Sequence, residues 1–204
     1  MGAVKKKALE MALSQIPAHT SPTPQLEQYM TPADIASDVL FFAHLMGDIK
    51  DKFVIDLGCG TGIFAIGAKL MGAREVIGID VDDKAITIAR DTAKKLKVGV
   101  DFQVCEINDF KKECDCVLQN PPFGAQKRHA DRPFITKALD ISNVVYSLHL
   151  TKTKRFIEKE AKRLKAVITH TQNYKFEIKH TFHFHTDEIK FFDVMMFRIR
   201  KAGE

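Results

Sequence analysis

Residues 116–124 read Cys116-Val117-Leu118-Gln119-Asn120-Pro121-Pro122-Phe123-Gly124. Apolar Val117 and Leu118 running into Asn-Pro-Pro-Phe describe a buried parallel strand that stops abruptly and delivers side chains to its carboxyl end. In open α/β sheets that end is where ligands bind. Proline cannot donate to a sheet ladder, and a residue before proline is pushed out of the α region. Asn120 and Pro121 are therefore held extended, with carbonyls free to accept. Asn120 adds an amide oxygen, Phe123 a flat apolar face, and Gly124 a close backbone approach. Such a set fits a planar base with an exocyclic amino group. Two acceptors draw the amine toward a pyramidal, nucleophilic geometry while the ring holds the base by stacking. A bare Pro-Pro pair would be read as a turn closing a strand; Asn before it and Phe after it favour the chemical reading.

Upstream, Phe53 to Leu57 is an apolar run entering Asp56-Leu57-Gly58-Cys59-Gly60-Thr61-Gly62, followed by a helix from Ile63 to Met71. Strand, glycine loop and helix N-terminus together let backbone approach a nucleotide cofactor closely, which makes Asp56, Gly58, Gly60, Thr61 and Ile63 candidate cofactor residues. Ile63 stands where a dinucleotide fingerprint needs its third glycine, so NAD and FAD are disfavoured. Val76 to Ile79 is the next strand, and Asp80 closes it; alone it would be read as capping the helix Lys84 to Leu96, but with the glycine loop in front ribose binding is the favoured reading. A third strand is expected over Val100 to Ile107. It places Glu106 and Ile107 at the same sheet edge, to contact and cover an adenine ring.

The 204 residues suffice for one substantial domain, burying roughly 70 % of the unfolded surface. The reading divides the chain into an N-terminal helix and linker, 1–24, and a single domain, 25–204. Hydrophobic content of 45 % and charged content of 28 % are ordinary for a globular protein. The net charge is +5, with basic residues clustered after residue 126, which favours a polyanionic partner. No stretch of eighteen apolar residues and no signal-peptide pattern occurs, so neither membrane spanning nor secretion is supported. A cytoplasmic protein with reduced thiols is expected. The spacing of the four cysteines argues against zinc: only Cys114 and Cys116 are close, on one predicted strand, where they are read as pointing to opposite faces.

From Ala3 to Ile16, apolar residues at helical spacing form a short amphipathic helix. Thr31 is read as the N-cap of the next helix, with Pro32 at its first position and Ile35, Val39, Phe42 and Met46 as its buried stripe. After Gly124, Lys127, Arg128, His129 and Arg132 lie in a polar loop read as a lip over the substrate site. A helix over 133–140, a strand over 143–148 and a basic helix from Thr151 to Lys165 follow. That helix carries Lys152, Lys154, Arg155, Lys159, Lys162 and Arg163, a solvated face unless its charges line up with the lip. The segment from Ala166 to Arg200 reads as an antiparallel hairpin at one sheet edge. His180, His183 and His185 within it are read as surface or packing residues, because only two share a face and a third ligand is lacking. The whole is one α/β sheet with right-handed crossovers.

Taken together, the glycine loop, Asp80 and Asn120-Pro121-Pro122-Phe123 resemble class I S-adenosylmethionine-dependent methyltransferases acting on amino groups. Leu26-Glu27-Gln28-Tyr29 with Thr31, and Val145-Tyr146-Ser147-Leu148-His149, extend the likeness over nearly the whole chain. It resembles the methyltransferase-like-five family of ribosomal RNA adenine-N6 methyltransferases, in its archaeal form. The resemblance implies a Rossmann-like, seven-stranded sheet and S-adenosyl-L-methionine as cofactor. It implies one methyl transferred to N6 of a flipped-out adenosine in small-subunit ribosomal RNA. By position, Gln28 and Thr31 hold the amino-acid end of the cofactor, and Gly58, Thr61 and Ile63 its methionine and sugar. Asp80 then takes the ribose and Glu106 with Ile107 the adenine, while Asn120, Pro121, Pro122 and Phe123 hold the target base. Many relatives have aspartate where this chain has Glu106, and the segment from Ala166 departs most. Eukaryotic relatives work with a small zinc-binding activator subunit, and an exposed sheet edge is where such a partner would add a strand.

Two other readings stand beside this one. Asn-Pro-Pro-aromatic also serves methylation of a glutamine side chain in translation factors, although such a substrate has no need of the basic lip. A non-catalytic RNA-binding module with this fold has no need of the intact glycine loop, Asp80 and Asn120.

Overall fold

The computed structural model describes residues 5–20, 29–123, 130–178 and 190–202. Its elements run α1 (Lys6–Leu13), α2 (Ala33–Leu45), β1 (Phe53–Leu57), α3 (Ile63–Leu70), β2 (Glu75–Asp80), α4 (Asp83–Lys95), β3 (Asp101–Val104) and β4 (Cys114–Gln119). They continue with α5 (Arg132–Ile141), β5 (Ser142–Leu150), a 3₁₀ turn (Thr151–Thr153), α6 (Lys154–Arg163), β6 (Ala166–Ile178) and β7 (Lys190–Lys201). The strands form one seven-stranded sheet in the order β3-β2-β1-β4-β5-β7-β6. Pairing is parallel except at β7, which runs antiparallel to both β5 and β6. The chain winds outward from β1 in one direction and from β4 in the other, so the topological switch point lies between these two strands.

Period-two alternation sorts the core into two layers. Val54, Cys116, Leu118, Val144, Tyr146 and Leu148 face a cluster built from α1, α2, α3 and α4. Ile55, Leu57, Ile77, Ile79, Val117 and Val145 face α5 and α6, through Ile135, Leu139 and Ile157. The N-terminal helix belongs to the first layer, with Leu9, Leu13 and Ile16 buried in it. Gly67 of α3 is where α1 and α2 converge: a Cβ there would stand 3.3 Å from Leu13 Cδ2 and would overlap Leu40.

Two expectations are corrected. Thr31 does not cap α2; the N-cap position is Pro32, and the Thr31 side chain is taken by another partner described below. The third strand ends at Val104, because the chain turns where Asp109 N–H donates to the Glu106 carbonyl, just ahead of the ladder's expected end. Glu106 and Ile107 therefore reach the sheet edge from a turn. The cap of α4 is Asp82, accepting from Lys84 N–H and Ala85 N–H, so the plainer role weighed for Asp80 falls to its neighbour. The C-terminal hairpin is found as expected, with β6 as the edge strand. Cys116 packs in the first layer and Cys114 against the second. The pleat alone returns residues two apart to one face, and Cys114, at the first residue of β4, departs from it. The four cysteines are free thiols. His180, His183 and His185 lie outside the described residues.

Candidate active site

The carboxyl ends of β1, β2 and β4 open on a cavity of about 380 Å³, within the range of small-molecule sites. Thr31, Asp56, Gly58, Gly60, Thr61, Ile63, Asp80, Glu106, Ile107, Asn120 and Pro122 all line it. Gln28, Lys127 and Arg128 lie outside the described residues. Pro121 and Phe123 continue the same stretch beyond the cavity wall. The Phe123 ring packs on Phe176 at 5.9 Å and lies nearly parallel to Tyr29, with centroids 6.5 Å apart.

The glycine loop is shaped by contacts that only hydrogen can satisfy. Gly58 and Gly62 have φ of +68° and +88°, a region other residues rarely adopt. A Cβ on Gly62 would stand 2.8 Å from the Phe102 ring, and one on Gly58 would stand 2.9 Å from the Phe134 ring. The loop is also held to β2, since Gly60 N–H donates to Asp80 Oδ2 at 2.8 Å and Asp82 N–H to Asp80 Oδ1 at 3.0 Å. A carboxylate has about four lone-pair sites, so Asp80 keeps acceptor capacity on the cavity side for two vicinal hydroxyls. Burial raises its pKa against those two backbone bonds.

Asp56 sits on the helical face of β1 and accepts Ala65 N–H at 2.9 Å, tying the strand to the first turn of α3. Burial pushes its carboxyl up to about 8, with the Ala65 bond opposing and the Asp80 charge adding. Burial likewise pushes the neighbouring Cys59 thiol up, leaving a neutral, inert wall.

At the end of β4 the Asn120 amide is fixed by two acceptors. Its Nδ2 donates to Thr31 Oγ1 at 3.1 Å and to the Tyr29 carbonyl at 3.3 Å. Flipping the amide would set Oδ1 against that carbonyl, so the orientation is determined by the contacts. Oδ1 is left buried, with no hydrogen-bond partner among the described residues. A buried acceptor without a donor costs free energy, and such an atom at a cavity wall is an open position for a ligand N–H.

Several wall residues carried no readable signal in the sequence. His19, ahead of α2, reaches the cavity through a 3.0 Å contact of Nε2 with Asp82 Oδ2, sixty-three positions away in the chain. Ala130, Pro133 and Phe134, around the start of α5, form the wall that abuts the glycine loop at Gly58. A helix beginning at Pro133 is legible in the sequence; the direction in which it points is not.

This sheet order, with a glycine loop after β1, an acid closing β2 and Asn-Pro-Pro-Phe after β4, defines a class I methyltransferase. Residues 30–188 match the model of the methyltransferase small domain family. The rRNA N(6)-adenosine-methyltransferase METTL5 of Danio rerio is 33 % identical over 89 % of this chain and 92 % of its own length. An uncharacterized protein of Methanocaldococcus jannaschii is 43 % identical over 98 % of this chain and 96 % of its own. Among solved structures, a Pyrococcus horikoshii protein described as a candidate RNA methyltransferase superposes with a TM-score of 0.92 at 40 % identity, covering 98 % of this chain and 99 % of its own. The chain belongs to the methyltransferase small domain family and, within it, to the METTL5-like methyltransferases. It is an S-adenosylmethionine-dependent enzyme. No helix among the described residues is long and apolar enough to cross a membrane.

Proposed function

We propose that this chain transfers one methyl group from S-adenosylmethionine to N6 of an adenosine in ribosomal RNA of the small subunit. The observation that carries the reading is the buried, unpartnered Asn120 Oδ1, held in place by the two bonds of its own Nδ2. An exocyclic amine offers two N–H bonds. Asn120 Oδ1 takes one and the Pro121 carbonyl the other, which draws the nitrogen lone pair out of conjugation and toward the cofactor. Phe123 supplies the stacking face for the base.

The cavity is of small-molecule size, and its lining includes acceptors and apolar side chains that suit the cofactor. The glycine loop lies beside Asp56, Asp80 keeps capacity for a ribose, and Glu106 with Ile107, on the same cavity wall, would take the adenine. When bound, the cofactor supplies an electrophilic methyl on a sulfonium centre. The residues of this chain provide position and fixed dipoles; the amine proton becomes acidic once the nitrogen is alkylated and needs no strong base.

For the RNA backbone the reading uses the basic residues at the same edge of the sheet. α6 starts just past the carboxyl end of β5, with Lys152, Lys154 and Arg155 exposed. It is fastened to the start of α5: Arg132 pairs with Glu160 at 3.1 Å and lies over the Phe156 ring, and Arg163 holds the other Glu160 oxygen at 2.8 Å. The charges of α6 thus stand beside the start of α5, at the carboxyl edge of the sheet, where a phosphate track would run. A small zinc-binding activator would add to an open edge of the sheet, at β3 or β6.

The test is methyl transfer from labelled S-adenosylmethionine to ribosomal RNA from cells lacking this protein, followed by nucleoside analysis. Label in N6-methyladenosine supports the reading. Label found in protein instead moves the assignment to glutamine methylation.

A further inference from the structure

Beneath the second layer of the site lies a line of hydrogen bonds that the reaction does not use. Gln119 Nε2 donates to Ser147 Oγ at 2.8 Å, Ser147 Oγ meets His149 Nε2 at 2.6 Å, and His149 Nδ1 meets Asp131 Oδ2 at 3.0 Å. The carboxylate can only accept, so Nδ1 carries a proton and donates to it, and the Ser147 hydroxyl meets the other ring nitrogen. The sequence of groups matches a hydrolytic triad, but Ser147 and His149 are 0 % and 1 % exposed, so no ester or amide reaches the hydroxyl. The line serves another purpose.

Its far end shows what that purpose is. Asp131 occupies the N-cap position of α5, yet its side chain makes no capping bond. Pro133, two residues on, has no N–H to be capped, and the carboxylate turns inward to His149 instead. Ala130, Pro133 and Phe134, which flank Asp131, line the cavity, and the Phe134 ring edge presses on the Gly58 loop. The near end is Gln119, the residue before Asn120, in register with Ser147 on β5. His149 is itself held edge-on against Phe197 of β7, with centroids 5.8 Å apart.

From this we infer that His149 is a positioning residue which, through Asp131, sets the α5-side wall of the cofactor pocket against the strand that carries Asn120. The inference rests on the cavity being the cofactor pocket. Loss of the Nδ1–Asp131 bond frees the first turn of α5 and lets Phe134 move off the Gly58 loop.

The side chains of Asn and Gln separate this role from simple packing. An Asn amide can reproduce the Nδ1 donor, and a Gln amide reaches toward the Nε2 position while matching the volume of His more closely. The experiment is calorimetric titration of the full-length protein and its variants with S-adenosylhomocysteine, alongside thermal unfolding. His149→Gln and His149→Ala are expected to weaken binding by about 5- to 30-fold, the range for one lost buried hydrogen bond, while His149→Asn stays within about threefold of wild type. Asp131→Ala combined with His149→Ala should be no weaker than either alone, since both remove one interaction. Should His149→Ala fail to fold, the Asn and Gln pair decides alone. Gln equal to or better than Asn, or all variants at wild-type affinity, overturns the inference and leaves the proposed reaction standing. Absence of binding by wild type overturns both.

Discussion

Thr31 Oγ1 lies 3.1 Å from Asn120 Nδ2, across eighty-nine residues of chain, and joins the Tyr29 carbonyl in holding the Asn120 amide in place. A hydroxyl that the local sequence marks as a helix cap serves instead as the anchor of the Asn-Pro-Pro-Phe motif. Thr31→Val keeps the shape and removes the acceptor, leaving Nδ2 with the Tyr29 carbonyl alone. Turnover should fall by about 5- to 30-fold, the equivalent of one lost buried hydrogen bond, and Thr31→Ser should restore most of it. Steady-state kinetics on all three proteins checks this; equal loss in the Val and Ser variants would point to packing.

Asp56 makes the stability of the cofactor-free protein depend on pH. Burial pushes its carboxyl up to about 8 in the folded state, against an ordinary 3.8 in the unfolded chain, so the folded state binds more protons between those limits. Stability from this group is full below about pH 4 and is lost as pH rises toward about 8, with a total change of a few kcal/mol. Urea unfolding at pH 5 and pH 9 should show wild type losing stability across that interval. Asp56→Asn, whose amide oxygen still accepts Ala65 N–H, should flatten the difference.

The loop after α2 is bound to the far strands by charge. Asp48 Oδ2 accepts from Tyr146 OH at 2.6 Å and from Arg198 Nε at 2.9 Å, and Arg198 also donates to Thr169 Oγ1. Burial and the bond to Asp48 push the Tyr146 hydroxyl up, which keeps it a donor. Asp48→Ala strands a guanidinium that is 6 % exposed and should cost about 3 kcal/mol in urea unfolding. Asp48→Asn, which keeps an acceptor, should cost less.

Salt dependence tests the RNA track. Replacing Lys152, Lys154 or Arg155 with Ala should raise KM for RNA and leave cofactor affinity unchanged. Each should also lower the slope of log affinity against log salt by about 0.7 to 0.9, the contribution of one phosphate contact. Binding titrations from 50 to 300 mM salt measure both quantities. An unchanged slope in all three would place the backbone elsewhere.

The parts of the site legible in the sequence were those written in consecutive residues. β1 matches its expected span of Phe53 to Leu57, the glycine loop follows it, and Asn120 stands at the end of a buried strand. Local rules for helix starts did less well. Thr31 and Asp80 both carry capping chemistry, but each is claimed by a partner that the local sequence does not reveal, Asn120 in one case and the Gly60 N–H in the other. The cap fell to Asp82, whose φ of −89° and ψ of 105° suit it. His19 and the line from Gln119 to Asp131 are tertiary constructions, assembled by sheet order and helix packing; of their contacts only Ser147 to His149, two residues apart on β5, follows the strand period.

The central claim is that Asn120 Oδ1 accepts from the target amine. The most direct test is single-turnover methyl transfer to the RNA substrate by Asn120→Ala, with cofactor affinity measured on the same protein. The account predicts a rate lower by about 10²- to 10³-fold, the usual cost of removing one preorganised hydrogen-bonding group, with S-adenosylhomocysteine binding within about threefold of wild type. A rate within about tenfold of wild type, or a loss accounted for by weaker cofactor binding, would contradict it.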